Sequence, residues 1–197
     1  MKQTFEILQR SYFENKNANA MKKGFILLAL MISVAISAQE KIKWVSVSDL
    51  ENLQKEEPRK VLIDVYTKWC GPCKMMMAQT FTDKEVINYI NKNFYAVKFD
   101  AEGNEKVNFK GYEWTNEDYD PNKRGRNGTH DLTLAIAPVN ARIAYPTIVY
   151  MDENLNIIQP IQGMMRPPQI MPLLTYMAND KYKDQNYDEY LKEYNQQ

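Results

Sequence analysis

Metal-ligating and disulfide-forming residues are scarce in this chain of 197 residues, which has two cysteines and one histidine. A closed zinc site needs more ligands than Cys70, Cys73 and His130 can supply. A small domain stapled by disulfides carries more cysteines, spread along the chain. The sequence therefore predicts no metal, and we expect no cofactor. His130 is expected to be a surface residue, and the two cysteines are interpreted as a reactive pair.

The chain has no excess of positive or negative charge, because 25 Lys and Arg residues balance 25 Asp and Glu residues. This balance gives no electrostatic reason to expect a nucleic acid or an anionic membrane surface as a partner. Long hydrophobic runs are missing too, since the apolar run over residues 24–36 is shorter than the roughly 20 residues that cross a bilayer.

The N-terminal region is typical of a targeting signal rather than of a folded element. The basic residues Lys22 and Lys23, directly after Met21, precede the apolar run, and the small residues Ser37 and Ala38 follow it. This order predicts a secretory signal peptide over residues 21–38, with an uncleaved membrane anchor as the alternative. Residues 1–20 are interpreted as an upstream extension, with Met21 as the true start. The mature protein, residues 39–197, is expected to be exported and, in a bacterium with two membranes, periplasmic.

The mature chain alternates between β-branched apolar runs and helical patterns, and this alternation predicts an α/β fold with a mixed sheet and an antiparallel edge. Ser48 is expected to cap the first helix, and Asp131 a later one. Strands are predicted over 61–66, 94–99, 147–151 and 156–161, and helices over 49–56, 70–91 with a break near 80–83, 132–136, 167–177 and 188–194.

The two cysteines have the spacing that disulfide exchange requires. One thiolate attacks the target disulfide, and a second thiol then resolves the mixed disulfide. At the start of a helix, Cys70 is expected to point outward and to be stabilised as a thiolate by the positive end of the helix. Cys73 then lies one turn further in, within disulfide reach. Gly71 permits close approach, and Pro72 suits the first turn.

Residues 69–74 closely resemble the active-site motif of thioredoxins, and the similarity extends over residues 45–177 with one interruption. Asp64 stands six positions before Cys70, where the family has a buried aspartate. Pro146 matches the family's cis-proline, and Gly163 matches a glycine in a third loop at the site. The resemblance implies a thioredoxin fold, in which a mixed central sheet is flanked by helices. Here it carries an insertion before the helix that precedes the cis-proline.

The resemblance also implies a role for each matching residue. Cys70 is the nucleophile, Cys73 resolves the mixed disulfide, and the two form the redox disulfide. Asp64 exchanges a proton with Cys73 through water, with Lys98 as a possible cationic partner in the proton relay. The substrate-binding residues are Trp69, Gly71, Pro72, Tyr145, Pro146 and Gly163.

Two segments depart from the family: a polar insertion over residues 102–130 and a helical tail over residues 179–197. The strand before the insertion should end at the same rim as the cysteines, because parallel strands share their carboxyl edge. We therefore expect the insertion to form a wall or lid beside Cys70, with a mobile surface loop as the alternative.

These observations predict a thiol–disulfide oxidoreductase that reduces disulfides in exported proteins and receives electrons from a membrane donor. One alternative is an oxidase or isomerase of protein disulfides. The other is a thioredoxin-fold binding module in which redox activity is incidental.

Overall fold

The computed structural model describes residues 40–196. The predicted signal peptide (residues 21–38) and upstream extension (residues 1–20) lie outside the described residues. Between residues 40 and 196, no helix is both long and apolar enough to cross a membrane.

The described region contains seven strands and six α-helices, with two short 3₁₀ helices at Val47–Asp49 and Lys181–Lys183. The strands are β1 (Trp44–Val45), β2 (Lys60–Tyr66), β3 (Phe94–Asp100), β4 (Val107–Phe109), β5 (Tyr112–Trp114), β6 (Thr147–Met151) and β7 (Ile157–Gln162). The helices are α1 (Leu50–Glu56), α2 (Gly71–Gln79), α3 (Lys84–Asn93), α4 (Asp131–Ile136), α5 (Pro167–Ala178) and α6 (Tyr187–Tyr194).

Five strands form one mixed sheet in the order β1-β3-β2-β6-β7. β1, β3 and β2 are parallel, whereas β6 pairs with β2 and β7 with β6 in antiparallel fashion. The predicted mixed sheet with an antiparallel edge is therefore confirmed. Because β2 and β3 run in the same direction, Tyr66 and Asp100 end together at one rim, directly before the cysteines and the insertion.

The central strand β2 is buried on both faces of the sheet, which explains its nearly unbroken apolar sequence. Its side chains alternate between two cores. Val61, Ile63 and Val65 belong to the core that also contains residues of α1 and α4. Leu62 belongs to the opposite core, which contains Met76 of α2 and residues of α3 and α5. The same alternation places Asp64 on the Leu62 face, the face covered by the helix that carries the cysteines.

Polar side chains define where two of the helices begin. Asp83 accepts hydrogen bonds from the backbone N–H groups of Glu85 and Val86, so α3 starts there and the predicted break after α2 is confirmed. Ser46, rather than the expected Ser48, accepts a backbone N–H at the start of the first helical segment. That prediction was wrong because the segment opens with a 3₁₀ turn, which moves its cap two residues towards the N-terminus.

The insertion is an ordered structure rather than a simple connection. Strands β4 and β5 form a hairpin whose Val107 and Phe109 side chains are buried in the α1/α4 core. The Trp114 indole donates a hydrogen bond to the Phe109 carbonyl and closes the hairpin. Asn116 then donates to the carbonyls of Gly103 and Gly128, which joins the two ends of the insertion.

His130 ends the insertion and is buried, with 1% of its surface exposed, so its expected surface position is wrong. Its Nδ1 accepts the N–H of Leu132 and caps α4, the role that the sequence assigned to Asp131. Nε2 donates to the carbonyl of Glu105, and the ring meets Phe99 edge to face. The imidazole therefore connects the start of α4 to the start of the insertion.

Candidate active site

Cys70 and Cys73 form a disulfide at the start of α2, with an S–S distance of 2.04 Å. Cys70 is the N-cap, and its Sγ accepts the backbone N–H of Cys73 at 3.1 Å. Gly71 and Pro72 occupy the first turn, and a β-carbon at Gly71 would meet no atom within 4 Å. An N–H dipole directed at Cys70 Sγ stabilises negative charge on that sulfur when the pair is reduced.

Both cysteines are recessed in this structure, with exposed fractions of 2% for Cys70 and 3% for Cys73. The expectation that Cys70 points outward therefore does not hold for the disulfide form. Trp69, which precedes the pair, is 37% exposed. A reaction partner must therefore reach the sulfurs past neighbouring groups.

Asp64 lies in the middle of β2 and is 1% exposed. Its Oδ1 has no hydrogen-bond partner, which is unusual for a buried carboxyl group. Burial raises its pKa from 3.8 to about 7, and the positive charge of Lys98 offsets part of that rise. Asp64 is consequently balanced between its two protonation states near neutral pH, as a proton-exchanging group must be.

Lys98 stands directly opposite Asp64 in the β2–β3 register. Its side chain is exposed, and its Nζ lies 4.6 Å from the centre of the Tyr66 ring. The structure therefore holds the ammonium group over an aromatic face at the rim, while its charge acts on Asp64 across the strand pair.

The two other loops expected at the site have the backbone geometry that the resemblance implies. The Tyr145–Pro146 peptide bond is cis, and the N–H of Gly163 donates to the Pro146 carbonyl at 2.8 Å. Gly163 has a φ of +105°, a conformation that residues with a β-carbon rarely adopt. Tyr145 is half-buried and meets Trp69 edge to face, with ring centres 5.9 Å apart. This contact connects the cis-proline loop with the residue before Cys70.

Two residues of the insertion, Glu102 and Arg126, contact Trp69, and neither was assigned a role from the sequence. The indole N–H donates to Glu102 Oε2 at 2.8 Å, and the same oxygen accepts the backbone N–H of Asn127 at 2.8 Å. The Arg126 guanidinium lies 4.5 Å from the centre of the Trp69 ring. No local motif marks these residues, because their contacts join positions far apart in the chain. The insertion thus lies directly beside the cysteine motif.

Metal binding is not supported by any side-chain cluster in residues 40–196, where no three His, Cys, Asp or Glu residues converge suitably. The chemistry available at the site is that of two sulfurs, a buried carboxyl group and an aromatic wall.

Comparison with known proteins identifies relatives of this chain. The thioredoxin-like domain model matches residues 47–178, more than half of the chain. The thiol:disulfide interchange protein DsbD of Pectobacterium atrosepticum is 28% identical over 94 residues, which cover 36% of this chain and 16% of that protein. Thioredoxin H2-1 of Oryza sativa subsp. japonica is 39% identical over 57 residues, which cover 26% of this chain and 39% of that protein. The chain therefore spans well under half the length of these curated relatives.

Among solved structures, a thioredoxin-fold protein from Helicobacter pylori superposes with a TM-score of 0.52 at 18% identity. The superposition covers 80% of this chain and 89% of that one. At this identity the match shows the fold alone, and it confirms the predicted thioredoxin fold. With the matched family model, it shows that the chain belongs to the thioredoxin-like domain family.

Proposed function

We propose that this protein is a thiol–disulfide oxidoreductase that reduces disulfides in exported proteins. The observation that carries the proposal is the Cys70–Cys73 disulfide at the N-terminus of α2, on the sheet face that holds the unpaired carboxyl group of Asp64. The three groups supply a nucleophile, a resolving thiol and a proton acceptor for a single exchange reaction.

The proposed reaction begins with both cysteines reduced. The Cys70 thiolate attacks one sulfur of the substrate disulfide, which forms a mixed disulfide and releases the other substrate sulfur as a thiolate. Cys73 passes its proton to Asp64 through water and attacks Cys70 Sγ. The second substrate sulfur leaves as a thiolate, and the Cys70–Cys73 disulfide remains. The substrate has gained two electrons, which both came from the cysteine pair, and solvent protonates its thiolates.

The substrate groove of this proposal lies between Trp69 and the cis-proline loop. The backbone at Tyr145, before the cis bond to Pro146, is the edge with which an extended substrate segment would pair. Gly71, Pro72 and Gly163 leave that approach free of side chains larger than the proline ring.

The proposal also covers the direction of electron transfer and the cellular location of the protein. The Gly-Pro pair between the cysteines resembles that of reducing thioredoxins, so we favour reduction over oxidation or isomerisation. A signal peptide at residues 21–38 would deliver the domain, residues 39–197, to the periplasm. A reductase there needs a membrane donor to restore its thiols, and the similarity to a thiol:disulfide interchange protein supports such a partner.

Cysteine variants of the full chain test the proposal. With a disulfide-bonded model protein as substrate, we expect Cys70→Ser to abolish reduction, and Cys73→Ser to accumulate a mixed disulfide that dithiothreitol releases. The double variant is the control and should form no adduct. Full biological activity of Cys70→Ser would instead favour the binding module. A reduction potential above about −180 mV would favour an oxidase or isomerase.

A further inference from the structure

The negative charges at the active-site rim are already engaged by neighbouring groups. Asp100 accepts the ammonium of Lys68 at 3.3 Å and the backbone N–H of Glu102 at 3.2 Å. The Glu102 carboxylate holds the Trp69 indole and the Asn127 backbone, as described above. The salt bridge to Lys68 offsets the charge of Asp100, whereas Glu102 bonds only to neutral donors and keeps its negative charge.

Two positive side chains of the insertion line separate cavities that Trp69 also lines. Lys123 lines a cavity of about 340 Å³ together with Lys68, Asp100 and Tyr119. Arg126 lines a second cavity of about 450 Å³ that extends to Tyr145. Within residues 40–196, neither Lys123 nor Arg126 forms a salt bridge to a carboxylate.

A third cavity, of about 460 Å³, opens on the other side of the cysteine pair and reaches Cys73. Its apolar lining comes mainly from Tyr66, Met77 and Ala78, and its lysines include Lys74 and Lys98. These two lysines also lack a salt bridge to any carboxylate of the described chain. Basic side chains without a salt bridge therefore line the cavities at Trp69 as well as the cavity at Cys73.

One acidic residue of the insertion, Glu102, lines the cavities of both Lys123 and Arg126, and Asp100 lines that of Lys123. Glu117, Asp118 and Asp120 line none of the three cavities. The Asp118 backbone lies against Gly128, and Asp120 Oδ1 accepts the backbone N–H of Asn122. The chain is neutral overall. The three cavities together are lined by five basic side chains and two acidic ones, so positive charge is in excess at this rim.

We infer that the cationic rim, defined as Lys74, Lys98, Lys123 and Arg126, docks an acidic polypeptide segment that flanks the redox cysteines of a partner protein. This inference rests on the proposed function, because the docked segment brings a disulfide or dithiol to Cys70. Facing charges of opposite sign raise the association rate, and salt removes that gain. A polypeptide fits better than a lipid surface, because the disulfide is recessed and a flat layer of headgroups cannot enter the cavities beside it.

The test compares three synthetic peptides that carry the same internal disulfide, with flanking residues that are acidic, neutral or basic. Single-turnover reduction by the reduced full chain is measured at ionic strengths of about 20 mM and about 300 mM. We expect the acidic peptide to react about ten times faster than the neutral one at low salt, and the difference to vanish at high salt. Equal rates for all three peptides at low salt would overturn the inference.

Charge reversal identifies the surface responsible. In Lys123→Glu/Arg126→Glu, we expect the ratio of acidic to neutral rates to fall below one at low salt, and a ratio within each variant cancels any general loss of activity. Lys181→Glu/Lys192→Glu makes the same change of charge away from the rim and should keep the wild-type ratio. Lys181 adjoins the Lys60 end of β2, about 20 Å from the Tyr66 end. An unchanged ratio in the rim variant would contradict the assignment.

The two proposals can fail separately. If the neutral peptide is not reduced at all, the proposed function fails. If it is reduced but the acidic and basic peptides react at the same rate, only the cationic rim fails. Binding to phosphatidylserine vesicles that the Lys123→Glu/Arg126→Glu change abolishes, without any peptide preference, would assign the rim to membranes and overturn the inference.

Discussion

Strand β2 buries two ionisable side chains only four residues apart, and the structure treats them in opposite ways. Lys60, at the first position, is 3% exposed and donates to Asp180 at 2.7 Å and to Glu153 at 3.0 Å. Asp64 is 1% exposed, and its Oδ1 has no partner. Burial by itself lowers the pKa of Lys60, but its bonds to the two carboxylates outweigh burial and leave the pKa raised.

The difference separates a structural end of the molecule from a reactive one. At the Lys60 end, the two carboxylates satisfy the buried charge and attach the chain after α5 to the sheet. At the Asp64 end, a destabilising buried carboxyl group is retained on the sheet face that the disulfide helix covers, where the proposed reaction uses it to exchange a proton. A fold selected for stability alone would pair or remove Asp64.

The largest expected effect is that of Asp64→Asn on stability. The folded chain holds the Asp64 proton up to about pH 7, whereas an unfolded chain releases it near pH 3.8. The wild type therefore loses stability relative to the variant as the pH rises through this range. The pKa difference corresponds to about 4 kcal/mol in the free energy of unfolding, an order-of-magnitude value.

Denaturation of the oxidised proteins at pH 4 and pH 8 measures this difference. Asp100→Asn, which changes a partly exposed aspartate at the same rim, should show no comparable gain at pH 8. We also expect Asp64→Asn to resolve mixed disulfides more slowly near neutral pH. A variant that is no more stable than wild type at pH 8 would contradict the assigned proton equilibrium.

Lys60→Met should destabilise the fold by about 2 kcal/mol, because two charge-assisted hydrogen bonds are lost while the remaining carboxylates are still hydrated. Disulfide reduction should be unchanged, because Lys60 lies at the opposite end of β2. Lys183→Met is the matched control: this exposed lysine shares Asp180, and its loss should destabilise the fold far less than the loss of Lys60. Reduced activity in a fully folded Lys60→Met protein would contradict the conclusion that the Lys60 end of β2 is structural and the Asp64 end reactive.

Acid should remove the difference in folding stability between wild type and Lys60→Met. The hydrogen bond from Lys60 lowers the pKa of Asp180 from 3.8 to about 2. The stabilisation from this depressed pKa is therefore complete above pH 3.8 and is lost as the pH falls towards 2. Thermal unfolding between pH 2 and pH 6 measures the loss, and a stability difference that stays constant down to pH 2 would contradict this ionic attachment.

His130→Asn is expected to have a smaller effect than the Asp64 and Lys60 variants, at about 1 kcal/mol. Asparagine keeps an acceptor for the N-terminus of α4 but loses the bond to Glu105. Asp131→Asn, at the position that the sequence favoured as the cap, should cost about 0.3–0.5 kcal/mol. Chemical denaturation of both variants ranks them, and the reverse order would show that His130 does not anchor the insertion.

Sequence patterns predicted many of the helices and strands but missed specific caps and contacts. The helices and the strands β2, β3, β6 and β7 followed from apolar runs and helical patterns, because these signals act between near neighbours. The short strands β1, β4 and β5 were not predicted. The Ser46 cap and the His130 cap were missed because each depends on the exact turn in which the backbone enters its helix. Trp69 was proposed from its place beside Cys70. Its contacts with Glu102 and Arg126 could not be read, because they join residues that only the fold brings together.

The sequence by itself determined the order of the elements and the chemistry of the cysteine pair, because the spacing of Cys70 and Cys73 at a helix start is a local property. Tertiary structure decided how that chemistry is presented. It recessed the disulfide, left the Asp64 carboxyl group unpaired, and placed the insertion against Trp69. Burial, pKa and the segregation of charge depend on the distances between residues far apart in the chain, and only the folded chain sets those distances.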